Sequence, residues 1–410
     1  MKVNGIIAEY NPFHNGHVSH IQKSKELTGA DYTVVVMSGN FVQRGAPAVI
    51  DKFARAKMAL ENGADVILEL PTCYSTASAE YFASAGVALL DKIGVVNYLS
   101  FGSECGDIKT LDHIASILLE EPQEFSEYMQ RYLREGYTYP LARNNALIQY
   151  EKSLFDATRV LESPNNILGI EYIKAIIRRN SNIVPITIAR EGSNYHDRYT
   201  ADMSITASAQ AIREAIPSGI DFSPVMPDSA YADLFDEITS GNILDLDDFS
   251  AMLYYKLLQE KTIGYVSYFD VSQALSDRIS NKLSTFTSFK NFIEEVKSRD
   301  RTYTRISRCL MHILLDITER DLESYKLIDF VPYARVLGFR KDAEPLLSEI
   351  KCRTKIPMIT KAADASGILY SEPWKMFRGE IKANEIYYSA RAIKTCSPAK
   401  NELSTPLVIV

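Results

Sequence analysis

The chain has 410 residues, 46% apolar and 24% charged, an ordinary balance for a folded protein with room for two or three domains. No apolar run reaches the ~18 residues of a membrane span, and the opening MKVNGIIAEY lacks the features of a signal peptide. A net charge of −7 excludes a globally basic nucleic-acid binder, and five scattered cysteines, never in a CxxC pair, suit reduced thiols in a cytoplasmic protein better than a disulfide frame or zinc knuckle.

In chain order, VNGIIAEY is a strand-length apolar run, and HNGHVSHIQKSKELTG follows with helical spacing and a glycine stop. DYTVVVMSG predicts a second strand and turn, and DKFARAKMALENGA a helix ending near Gly63. DVILELP is a third strand, AEYFASAGVALLDKIG a helix, and VVNYLSFG a fourth strand. IVPITIAR reads as a late strand of the same sheet. Strands whose tips carry Gly, Asn or Ser and lead into helices imply a parallel α/β sheet of right-handed βαβ units. Residues 221–248 then hold eight acids and no lysine or arginine, broken by two prolines and a glycine. That stretch is read as a boundary with a solvated face. Mainly helical patterns follow, and the last ~80 residues return to mixed character. The expected organisation is an N-terminal α/β domain with a parallel sheet over 1–220, a mainly helical region over 221–330 and a C-terminal α/β region over 331–410.

The chemistry concentrates in EYNPFHNGH, residues 9–17. A strand, a tight turn and a helix bring unpaired N–H groups and a positive helix end to the strand's carboxyl edge, a ready anion site. Asn11 and Pro12 suit the turn. Gly16 leaves room for a base or ribose to approach the helix backbone. His14 and His17, at i and i+3, share a helical face and can donate hydrogen bonds to phosphate oxygens. A zinc site would need a third ligand; His20 is the one imidazole nearby, but three on a single helical face are cramped, and no metal site is assigned. Further on, SITASAQAIREAI (204–216) offers Ser208 as a helix cap and Arg213 for phosphate. The GNFVQRGAP loop presents Arg44, with Lys52 and Arg55 on the helix after it, as cations at the same rim. Residues 278–308 carry a local charge of +5, with Phe286, Phe289 and Tyr303 interleaved, a pattern suited to RNA phosphates and unpaired bases. Arg299, Arg301, Arg305 and Arg308 are its RNA-binding candidates.

His-x-Gly-His after a first strand resembles the signature of the nucleotidyltransferase superfamily that includes class I aminoacyl-tRNA synthetases. That resemblance implies a Rossmann-like sheet binding ATP, and an Ile-Arg helix end like that of Arg213, although Ala209 and Gln210 stand where hydroxyl residues are common. GIIAEYNPFHNGH, MSGNFVQRGAPAVIDKFARAKMAL (37–60), FGSE (101–104) and SPNNILGIEYIKAI (163–176) together are similar to one family, the bacterial tRNA(Met) cytidine acetate ligases. The resemblance covers essentially the whole chain. It implies activation of acetate by ATP, with Mg2+, to acetyl-adenylate, and acetyl transfer to the wobble cytidine of elongator tRNA(Met). Catalysis is then expected of His14, His17 and Arg213. ATP contacts are implied for Ile7, Ala8, Glu9, Tyr10, Asn11, Pro12, Phe13, His14, Asn15, Gly16, His17, Val18, Ser19 and His20, and for Gly102, Asn165, Arg190, Ser208 and Arg213. Asn166 is a neighbour with the same chemistry. The expected partners are ATP, acetate and tRNA(Met), with no membrane and no obligate protein partner. Two other readings stay open on the residues alone: an adenylyltransferase acting on a small nucleotide or cofactor precursor, and a non-catalytic RNA-binding protein.

Overall fold

The computed structural model of the chain describes residues 1–151, 160–190, 207–298 and 301–410. Its strands are β1 (Val3–Ala8), β2 (Tyr32–Ser38), the small hairpin β3 (Phe41–Val42) and β4 (Ala46–Pro47), β5 (Val66–Leu70), β6 (Tyr98–Ser103), β7 (Val184–Ala189), β8 (Ala334–Phe339), β9 (Met358–Ile359) and β10 (Val408–Ile409). The main sheet runs β10-β8-β5-β2-β1-β6-β7, with β9 beside β8. Strands β5, β2, β1, β6 and β7 are mutually parallel, as the alternating pattern predicts. Parallel neighbours need crossovers, which the helices Asn15–Thr28, Lys52–Glu61 and Ala79–Lys92 supply.

The chain leaves β1 toward β2 and β5, then returns to place β6 on the other side of β1. The carboxyl edge between β1 and β6 is therefore the switch point where ligands collect in an open α/β sheet. Buried polar groups lock that seam: Asn4 donates to Ser100 Oγ (2.8 Å), which donates to Ser24 Oγ (3.0 Å) on the first helix.

Residues 331–410 complete the same sheet from far along the chain. β8 pairs antiparallel with β5, and β10 parallel with β8. The long helix Ser371–Thr395 packs on the β3–β4 hairpin: the Tyr387 hydroxyl donates to the Ala48 carbonyl (3.0 Å), and Asn40 donates to Asn384 Oδ1 (2.8 Å). The described residues between 228 and 327 are mainly helical, and Leu253, Phe289 and Leu310 share one apolar core with β2, β5 and the Ala79–Lys92 helix. Among the described residues no helix is long and apolar enough to cross a membrane.

Two cations expected at the rim are interior instead. Lys52 is fully buried between Glu69 (2.8 Å) and Glu402 (2.9 Å), and the buried Arg55 donates to the carbonyls of Glu9 (2.6 Å), Ser38 (3.1 Å), Gly39 and Ile50. Apolar neighbours on their helix gave both the spacing of a core face. The Arg55 charge holds the carboxyl ends of β1 and β2 in place, and that of Lys52 ties β5 to Glu402.

Candidate active site

His14 caps the first helix. Its Nδ1 accepts from the Gly16 N–H (3.1 Å), and His17 Nδ1 accepts from the His14 N–H (3.2 Å), a reciprocal capping box built from imidazoles. Each ring spends its δ nitrogen as an acceptor, so this network assigns the ring proton to Nε2. The rings stack with centroids 3.7 Å apart, and Tyr10 and Phe13 wall His17 edge-on at 4.7 Å and obliquely at 5.3 Å. Gly16 serves a purpose that its sequence context did not suggest. A Cβ there would lie 2.9 Å from His14 Cε1, so the glycine makes room for the capping imidazole before any base or ribose is considered.

Both histidines are held neutral. Burial, then the charges of Arg190 and Arg213, take His14 down to about 3. Burial, then its histidine neighbours and Arg190, hold His17 well below its ordinary value. Burial and Arg190 take His20 down to about 4. The first turn thus offers neutral N–H donors beside fixed cations, a polar lining that needs no reorganisation when negative charge arrives.

These groups open onto a cavity of about 630 Å3, within the usual range for a small-molecule site. Its lining includes Ile7, Ala8, Glu9, Tyr10, Asn11, His14, His17 and His20 from the first strand and turn, with Gly102, Asn165, Arg190, Ser208 and Arg213. Gly16 and Ser19 face a smaller adjoining pocket of about 130 Å3 with Lys23. Pro12 and Phe13 are buried behind the turn, Asn15 donates to the Pro224 carbonyl (3.1 Å), and Val18 packs on the apolar layer under the helix. These four support the turn from outside the cavity lining.

Four arginines, Arg44, Arg190, Arg213 and Arg308, face one carboxylate, Glu9, among the described lining residues. Ser208 caps the Ala209–Ser218 helix by accepting from the Ala211 N–H (3.2 Å), and Arg213 on that helix donates to the Asn11 carbonyl (2.5 Å). The Ile-Arg helix is thereby pinned to the histidine turn. Arg190 follows β7, and its N–H donates to the Ser103 carbonyl (3.0 Å); a Cβ on Gly102 would sit 3.3 Å from Arg190 Cγ. Asn165 donates to Glu104 Oε1 (2.7 Å), while the buried Asn166 accepts from the N–H groups of Glu104 (2.9 Å) and Cys105 (3.1 Å). Glu104 Oε2 accepts from the Asn166 N–H (2.9 Å) and so caps the helix Pro164–Arg178, a partner that helix propensity alone does not reveal. An apolar wall of Phe82, Phe101, Leu168 and Tyr172 completes the cavity, and the sequence alone assigned none of them a role.

Of the four RNA candidates, Arg299 lies outside the described residues. Arg301 donates to Ser272 Oγ (3.0 Å) and Arg305 pairs with Asp270 (2.7 Å), both at the surface. Arg308 instead lines the cavity with Thr304, where burial lowers its affinity for a proton.

The family model for HIGH Nucleotidyl Transferase matches residues 1–402. A tRNA(Met) cytidine acetate ligase of Acetivibrio thermocellus is 43% identical over the full length of both chains, and one of Caldicellulosiruptor saccharolyticus is 43% identical over 94% of each. The chain belongs to the tRNA(Met) cytidine acetate ligase family. Thermotoga maritima TmcAL, solved bound with alpha-thio ATP, superposes with a TM-score of 0.90 at 32% identity, covering 100% of both chains; its apo form gives 0.91. The mostly parallel sheet is therefore the fold of the ligase family.

Proposed function

We propose that the protein joins acetate to ATP as enzyme-bound acetyl-adenylate, releases pyrophosphate, and passes the acetyl group to the exocyclic amine of the wobble cytidine of elongator tRNA(Met), forming N4-acetylcytidine. The observation that carries this reading is the neutral histidine pair, capping a helix at the sheet's switch point and facing a cavity with four arginines. The names of the full-length relatives supply the acceptor and the acid.

In this reading the Nε2–H groups of His14 and His17 bond the α-phosphate and stabilise the charge that grows there as acetate oxygen attacks. Arg213 draws the departing pyrophosphate. Gly102, Asn165, Arg190, Ser208 and the lining residues of the turn from Ile7 to His20 hold the nucleotide, with Pro12, Phe13, Asn15 and Val18 supporting that turn from behind. The main task is positioning: a carboxylate is a weak nucleophile, and in-line placement supplies most of what it lacks. The apolar wall shields the anhydride from water. Mg2+ would enter with the nucleotide and screen its charge. One lining carboxylate and no group of three metal-ligating side chains among the described residues fit an ion held chiefly by phosphate oxygens. Arg301, Arg305 and Arg308 meet the RNA near the mouth.

The test is incubation of the protein with ATP, acetate and a tRNA(Met) transcript, followed by mass spectrometry of the nucleosides and an acetate-dependent pyrophosphate assay, with His17→Ala as control. N4-acetylcytidine and hydroxylamine-trappable acetate support the ligase. AMP retained in a dinucleotide product indicates an adenylyltransferase, and RNA binding without pyrophosphate release indicates a non-catalytic protein.

A further inference from the structure

Glu9 is the single carboxylate among the described residues lining a cavity with four arginines. Toward the phosphates of a nucleotide and toward a carboxylate substrate, a fixed negative charge is repulsive. Glu9 leaves β1 at its carboxyl edge, directly before Tyr10. Its backbone carbonyl is clamped by Arg55 (2.6 Å), and its Oε1 accepts from the Gln43 N–H (3.0 Å). Its Oε2 has no hydrogen-bond partner among the described residues. The carboxylate is close enough to Tyr172 for its charge, after burial, to hold that phenol's proton more tightly. Phe101 packs on Tyr172 with centroids 5.6 Å apart, so one oxygen of Glu9 is left open beside an aromatic wall suited to a flat base.

The transfer half-reaction needs a proton acceptor, and the histidine pair does not supply one. Both δ nitrogens already accept backbone N–H groups, which leaves Nε2–H donors toward the cavity. His20 lines both the cavity and the smaller pocket, but its burial beside Arg190 disfavours its taking up a proton. We infer that Glu9 takes the proton from the acceptor amine as the acetyl group is transferred, an assignment that rests on the proposed reaction. The cytidine N4 lone pair forms the bond to the acetyl carbonyl carbon. The bond from that carbon to the adenylate oxygen breaks, and AMP leaves with its electron pair. One N4 proton passes to Glu9 Oε2 and from there to solvent. Because the N4 lone pair is delocalised into the ring, the amine is a poor nucleophile until that proton begins to leave, and such assistance is worth about 10²–10⁴ in rate.

The experiment is a single turnover: enzyme holding acetyl-adenylate, quantified by hydroxylamine trapping, is mixed with tRNA(Met), and transfer is expressed per bound adenylate. Glu9→Gln keeps an oxygen that can accept from the Gln43 N–H and from N4–H but cannot take up a proton. Its transfer rate constant at saturating tRNA is expected to fall about 100-fold or more, with the half-saturating tRNA concentration unchanged and activity partly recovered in Glu9→Asp. Wild-type transfer by Glu9→Gln, or a loss confined to tRNA affinity, overturns the assignment. A loss in Glu9→Ala that Glu9→Gln restores makes the residue a positioning group and overturns it as well. If wild-type enzyme makes no trappable adenylate, the functional reading fails first and takes this inference with it.

Discussion

Gly45 lies flat against the backbone of Arg308. Its φ is +70°, and a Cβ would fall 2.4 Å from the Arg308 amide nitrogen and 2.5 Å from its Cα. Ser307 Oγ donates to the Gly45 carbonyl (2.8 Å), so the loop after β3 is fastened to the helix Tyr303–Leu315 at the point where Arg308 turns into the cavity. Gly45→Ala should therefore be costly twice, through left-handed strain and through a backbone clash, for a loss of about 2–4 kcal/mol. Gly136, with φ +89° and nothing within 4 Å of its would-be Cβ, bears only the strain, so Gly136→Ala should cost about 1–2 kcal/mol. Urea unfolding of the two variants measures the difference; equal losses would mean that the Arg308 contact contributes nothing.

The histidine turn makes a pH prediction. A buried histidine whose pKa is depressed binds fewer protons folded than unfolded. Its contribution to stability is thus complete above the unfolded value of about 6.5 and is lost as pH falls toward the folded one, about 3 for His14. Within that window each such group steepens the decline by about 1.4 kcal/mol per pH unit. His14→Asn retains a good helix cap and removes the titration. Between pH 6.5 and 5, its stability should fall less steeply than the wild type's by up to that amount, as read by urea titrations at each pH. At pH 7 the same variant should lose about 10²–10³ in adenylate formation, because a donor proposed for the α-phosphate is gone.

Local signals in the first 190 residues were sufficient for the strand-helix alternation and for the histidine pair at the end of β1. Gly29, in the left-handed conformation that stops the first helix, is such a signal. Non-local pairing was not legible. β8 is six residues that slot beside β5 from more than 250 positions away, and nothing in ARVLGF specifies that neighbour. Side-chain direction was the other gap. Lys52 and Arg55 have the composition of surface cations, yet buried carboxylates and carbonyls at strand ends claim them. Arg308 belongs to a basic stripe by sequence, yet it lines the cavity at the point where Gly45 meets its backbone, a contact that depends on two distant segments meeting in space. Asn165 was placed by resemblance, and its partner Glu104 depends on two elements meeting in space.

Lys52 tests how the C-terminal region is held to the nucleotide sheet. Its side chain is 0% exposed and bridges Glu69 and Glu402, themselves 3% and 4% exposed. Burial alone would favour loss of the proton, but the two carboxylates outweigh it and hold the ammonium charged. Lys52→Met leaves Glu402 with Arg335, 3.6 Å away, and Glu69 without an ion-pair partner among the described residues. The expected loss is about 3–5 kcal/mol in urea unfolding. Adding Glu69→Gln should return part of it, since the penalty is the stranded charge; a strictly additive double variant would refute that explanation.

The arginines beyond the cavity make the last prediction. Much of the basic stripe is spent locally: Lys282 pairs with Glu295, Lys290 with Asp245, and Lys297 with Glu294. Arg305 also has a partner, Asp270, but its side chain is 44% exposed, and exposed pairs contribute only about 0–1 kcal/mol. A phosphate can therefore displace that partner cheaply. Among the described residues, the Arg301 guanidinium donates to a serine hydroxyl, Ser272 Oγ. Replacing Arg301 and Arg305 by glutamate should weaken tRNA(Met) binding by about tenfold to 100-fold and lower the slope of log affinity against log salt by about 2. Acetate-dependent pyrophosphate release without tRNA should continue. Arg308→Glu should impair both, because its guanidinium lines the cavity where the nucleotide is proposed to bind. Filter binding across a salt series, paired with the pyrophosphate assay, separates the two groups of arginines. If the double variant lost adenylation as severely as tRNA binding, the division between an outer RNA contact and an inner nucleotide contact would not hold.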